Sequence, residues 1–139
     1  MNYTRLALAA LGGTVASFAV GFLVLWLVPA LFDEARKYPA VFRPREDMNT
    51  YMPIGMVASL VATLVVAIIF AMTGGLGAAD GARLGVLMGI FVVCATVLHN
   101  FANLNIGLKL ALGQAAAYFV QWTVVGIVIG LIYKPVATP

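Results

Sequence analysis

The groups able to do chemistry in this chain of 139 residues are polar side chains set inside long apolar runs. Gln114, Tyr118 and Gln121 fall at i, i+4 and i+7, one face of a helix. Upstream stand Thr96, His99, Asn100 and Asn103; His99 and Asn103 share a face, as do Thr96 and Asn100. These side chains offer hydrogen bonds, and His99 adds the residue type that proteins use as a pH sensor. They do not make a catalyst on paper. No acid lies within the apolar runs to orient His99, and no Ser/His/Asp or Cys/His set has a supportable geometry. His99 has no second His or Cys at helical spacing, so a metal site is not expected. Cys94 is the one cysteine, which excludes an internal disulfide framework, and its place in mid-run reads as packing. The expectation is a non-catalytic chain without a cofactor.

Two readings fit the polar set. Amides and hydroxyls can tie helices together, each bond contributing roughly 0.6–2 kcal/mol in a bilayer. Alternatively they bind or pass a small polar solute, an ion or a lipid headgroup, because intramembrane polar groups face a bundle interior or a wet cavity.

The elements that carry these residues follow from composition. Hydrophobic residues make up 63% of the chain and charged ones 9%, against about 25% charge in an ordinary globular domain. A 14.7 kDa soluble fold could not hide so much apolar surface. Mean hydropathy is +1.05, and a bilayer is the solvent that accepts it. The eight Lys and Arg and the net charge of +3 do not indicate nucleic acid. They sit at the ends of apolar runs, where anionic lipid headgroups are the counterpart.

Charges also divide the chain. Residues 6–32, 48–79, 84–108 and 110–133 hold no Asp, Glu, Lys or Arg, and about 20 residues of helix cross the ~30 Å hydrocarbon layer. Four spans are expected near 6–31, 52–73, 82–103 and 108–133, in an all-α, antiparallel bundle forming one domain over 1–139. The runs are too long for barrel strands and do not alternate. The first continues through Trp26 and Leu27, too far for a cleaved signal peptide.

Pro39 and Pro44 interrupt the charged stretch 33–51, and Thr50 with Pro53 reads as the cap and first turn of the second span. Gly74, Gly75 and Gly77 form a tight turn, with neither the spacing nor the preceding strand of a phosphate loop. The connection 103–107 makes spans three and four a hairpin. That hairpin should bring His99, Asn100 and Asn103 towards Gln114 and Tyr118, near the interface on that side. Arg36, Lys37, Arg43, Arg45 and Lys109 outnumber Arg5, Arg83 and Lys134, so the positive-inside rule puts the long loop in the cytoplasm. Trp26, Tyr51, Trp122 and Tyr133 fit interfacial anchors, Trp122 fitting packing as well.

Small residues recur every fourth position: Gly13, Ser17 and Gly21; Gly81, Gly85 and Gly89; Gly113 and Ala117; Gly126 and Gly130. Such rows let helix backbones approach closely in lipid. They serve either the bundle itself or, through Gly126 and Gly130 above all, a homo-oligomer.

The order of features resembles a family of uncharacterised small bacterial four-span membrane proteins, a domain of unknown function. The resemblance runs over most of the chain on loose motifs. An aromatic–Pro–Phe segment (Trp26, Pro29, Phe32) ends the first span and a charged loop follows. A Gly-rich third span (Gly85, Gly89) ends at Asn100. The fourth pairs Gln114 with Tyr118 and closes on Gly126 and Gly130. The family more often has an acid where this chain has neutral Gln114, which weakens a proton relay. The resemblance implies a multi-pass protein of the bacterial inner membrane and leaves activity open. A self-associating or accessory subunit is the first expectation; a small channel or carrier with its site between spans three and four is the second.

Overall fold

The computed structural model describes residues 1–134, leaving aside the side chain of Arg45. Helix α1 (Tyr3–Leu27) starts at Asn2, whose side chain accepts the backbone N–H of Arg5 at 3.1 Å and so satisfies one orphan donor. It ends before the expected residue 31. Pro29 disfavours the α region for the residue before it, and Val28 leaves the helix at φ −128°. Pro29 then opens a separate short helix, α2 (Pro29–Ala35).

A 3-10 turn (Arg45–Asp47) leads into α3 (Met48–Met72). The helix therefore begins ahead of Thr50, which is no cap, and Pro53 lies inside the element. Pro53 costs a single N–H close to the helix start, where carbonyls still reach interfacial water. The next turn needs its glycines: Gly74 and Gly77 have φ of +69° and +72°, left-handed conformations that side chains resist.

The third span is longer than expected. It begins as α4 (Gly77–Val92), passes through a π-helical segment (Val93–Leu98) and ends as α5 (His99–Asn103). Asp80 secures its start by accepting the Leu76 N–H at 3.1 Å, which satisfies the donor of the residue that precedes the helix. The last span is α6 (Leu108–Ile132). Among the described residues there is no strand. Four helices are long and apolar enough to cross a membrane: α1, α3, the run Gly77–Asn103 and α6. The protein is an all-helical, multi-pass membrane bundle.

Helices α1 and α6 form the central pair, with α3 against α1 and α4 against α6. The glycine rows of α4 and α6 decide the second contact. A Cβ on Gly81 would run into the Gly126 carbonyl oxygen, and one on Gly85 would stand 2.6 Å from that of Trp122. Gly130 meets Gly77 and Gly81 in the same way. Gly126 and Gly130 thus serve the bundle rather than a second subunit.

The adjacent face of α6 packs on α1 and α3. Val125 and Ile129 join Leu6, Ala9, Val66, Ala67, Phe70 and Tyr133 in the core, at the end of the bundle that carries the termini. Tyr133 is 4% exposed and meets Phe70 edge-on at 6.0 Å, so it packs in the core instead of anchoring at the interface. Trp122 also packs against this core, whereas Trp26 is 78% exposed.

Candidate functional site

At the other end, beside the long loop, the same helices leave a groove of about 340 Å³. Following the inner face of α3 shows why. Thr63, Val66, Ala67 and Phe70 are buried, but Met52 and Met56, on the same face nearer the loop, are exposed. The inner face of α1 behaves alike. It is buried at Leu6, Ala9, Gly13 and Ser17, and at Gly21 an added Cβ would meet nothing within 4 Å. The bundle interior is closed for half its depth and open for the rest.

Polar ties mark the boundary. Gln121 donates its side-chain amide to the Ser17 hydroxyl at 2.6 Å and to the Ser17 carbonyl at 3.0 Å, joining α6 to α1. Thr63 joins α3 to α1: its hydroxyl lies 2.7 Å from the Thr14 hydroxyl and 3.1 Å from the Ala10 carbonyl. Thr63 is 1% exposed, so these partners replace the water it has lost. Sequence reasoning passed over Thr14 and Thr63. For Thr14 a signal was available, since Thr14 and Ser17 stand three residues apart on one face.

Above the boundary, Ser59, Gln114, Tyr118 and the paired Ser17 and Gln121 contribute the polar lining, among Phe18, Phe22, Leu25 and Leu31. Gln114, Tyr118 and Gln121 are therefore brought together as one face. His99, Asn100 and Asn103 do not line this groove. His99 and Asn103 are exposed, and the Asn103 amide is spent locally on the His99 carbonyl at 2.8 Å. The hairpin convergence fails because the α4-facing side of α6 belongs to Gly126 and Gly130. The polar row lies well around the helix from them and faces α1. Among the described residues no three His, Cys, Asp or Glu side chains come close enough to hold a metal ion.

Helix α2 closes the loop end of the groove. Leu31 lines it and reaches Gly113, where a Cβ would collide with the Leu31 side chain. Two polar contacts pin the segment to the start of α6, and a third braces it from within. Tyr38 accepts the Gly107 N–H on its hydroxyl at 2.9 Å. Glu34 takes Lys37 at 2.8 Å and Lys109 at 3.7 Å. The Lys37 hydrogen bond holds the Glu34 carboxyl below its ordinary value against the opposing effect of desolvation, with smaller help from the charges of Lys37 and Lys109. The same hydrogen bond raises Lys37.

Four membrane-crossing helices around a one-sided groove define a small polytopic membrane protein. The chain belongs to the family described as Protein of unknown function (DUF1761), whose profile matches residues 8–130. This agrees with the resemblance to an uncharacterised four-span family. No curated protein and no solved structure matches it.

Proposed function

We propose that the protein is a non-catalytic accessory subunit of a membrane, working by holding a guest in the half-depth groove. The observation that carries this reading is the closed half of the interior. Ala67 and Ile129 are 0% exposed, and Phe70 and Val125 are 1% exposed. They lie between the groove floor at Ser17 and Gln121 and the end that carries the termini. A solute crossing there would shed its hydration with nothing polar to replace it. The resemblance and the basic loop favour a bacterial inner membrane, with residues 33–51 in the cytoplasm.

The reading is tested by reconstituting the chain in liposomes and following ion and small-solute leakage. Leakage equal to that of protein-free liposomes is expected. A selective flux that Gln121→Leu abolishes would place the chain among small carriers instead. Self-association is tested in mild detergent by light scattering and by oxidation of the exposed Cys94. Cys94 lies away from the groove, so cross-linked pairs would show a second copy against the third span and not a guest in the groove.

A further inference from the structure

The lining of the groove indicates what the guest is. Ser59, Gln114 and Tyr118 line it and make no side-chain hydrogen bond to another described residue, unlike Gln121, which is tied to Ser17. Together they offer two hydroxyl donors and an amide NH₂. In a low-dielectric setting, unspent donors are costly and mark binding sites. No charged side chain lines the groove, so a bare ion or ionised headgroup would be desolvated without compensation. Phe18, Phe22, Val24, Leu25 and Leu31 make the rest of the wall, which suits an apolar tail. Gln114 and Tyr118 stand six and ten residues beyond the start of α6, roughly 9 and 15 Å along the helix, below the level of charged headgroups. The volume of about 340 Å³ is at the small end for a ligand pocket.

We propose that Ser59, Gln114 and Tyr118 form a binding site for an uncharged, carbonyl-bearing membrane amphiphile, its oxygen on the three donors and its tail along α1. The chemistry is shared by the ring carbonyls of a prenylated quinone and the ester carbonyls of a diacylglycerol. The proposal rests on the groove binding rather than conducting.

The experiment uses the full chain in phosphatidylcholine nanodiscs, titrated with decyl-benzoquinone, dioctanoylglycerol and, as a tail without carbonyls, decylbenzene. One carbonyl probe is expected to bind saturably, one per chain, and which of the two binds more tightly identifies the source. Gln114→Leu should weaken it tenfold or more, about 1.4 kcal/mol. Gly21→Leu, which adds bulk to open space, should abolish binding while the thermal midpoint stays within a few degrees. Equal binding of decylbenzene, displacement of the probe by phosphatidylglycerol, or wild-type affinity in Gln114→Leu would overturn the site. So would failure of both carbonyl probes to bind. Solute flux in liposomes, by contrast, would overturn the accessory-subunit reading whatever the probes do.

Discussion

Gln121 on α6 spends both of its amide hydrogens on Ser17 of α1, one on the hydroxyl at 2.6 Å and one on the carbonyl at 3.0 Å. This is the polar tie between the two central helices at the floor of the groove. Gln121→Leu should destabilise the bundle by about 1 kcal/mol, since interhelical polar contacts in bilayers are modest. A cycle with Ser17→Ala, read as unfolding free energy in mixed micelles, should return part of that loss as coupling. That part is the one carried by the hydroxyl, because the carbonyl bond survives in Ser17→Ala. Strictly additive single effects would mean that the two side chains do not act on each other.

Glycines that look alike in the sequence should respond in opposite ways. Gly126 and Gly130 have backbone of α4 where a Cβ would go, whereas Gly21 faces empty space. Gly126→Leu and Gly130→Leu should each lower stability by roughly 1–3 kcal/mol or more, because backbone cannot rotate aside as a side chain does. Gly21→Ala should be close to neutral. Equal thermal midpoints for Gly126→Leu and the wild type would mean that α4 and α6 are not packed on these rows.

The spans were legible because bilayer thickness turns intervals between charges into crossings, and Asp33, Asp47, Asp80 and Lys134 stand at their ends. Pro29 carried the local signal for the helix break, yet apolar residues continue past it to Phe32, and hydropathy hid the boundary. The π-helical segment Val93–Leu98 has neither Gly nor Pro to announce it. At the site, the common face of Gln114, Tyr118 and Gln121 follows from spacing alone. Which helix that face meets does not, because it depends on which row of α6 α4 occupies. Chain adjacency pointed to the third span, and the glycine row had already claimed it. Thr63 stood alone in an apolar run, and only its partner on α1 explains it.

Topology has a direct readout. With Cys94 replaced by Ala, single cysteines at Lys37 and at Leu76, both exposed, should react with impermeant reagents from opposite sides. Leu76 is preferred to Gly77, whose φ of +72° a cysteine would strain. Reaction of both from one side would remove the four-span arrangement.

The docking of α2 should depend on pH through Glu34. Its side chain is 10% exposed and takes Lys37 at 2.8 Å and Lys109 at 3.7 Å, contacts that hold the carboxyl below its ordinary 4.5. A carboxyl lowered in the folded state adds stability that is fully present above the unfolded value. That contribution is lost as pH falls through the folded value. Lys37 is raised above its ordinary 10.5, so its contribution is present below that value and is lost only as pH rises through the raised one. The pinned arrangement should therefore be constant across neutral pH and released in acid below 4.5. The amide of Gly107, which donates to Tyr38, reports on it. Its protection from hydrogen exchange, corrected for the intrinsic rate, should be flat at neutral pH and fall in acid. In Glu34→Gln, protection should be lower at neutral pH and lack the acid limb, because no carboxylate is left there to protonate. An acid limb that persists unchanged in Glu34→Gln would assign it to another group and remove Glu34 from the latch.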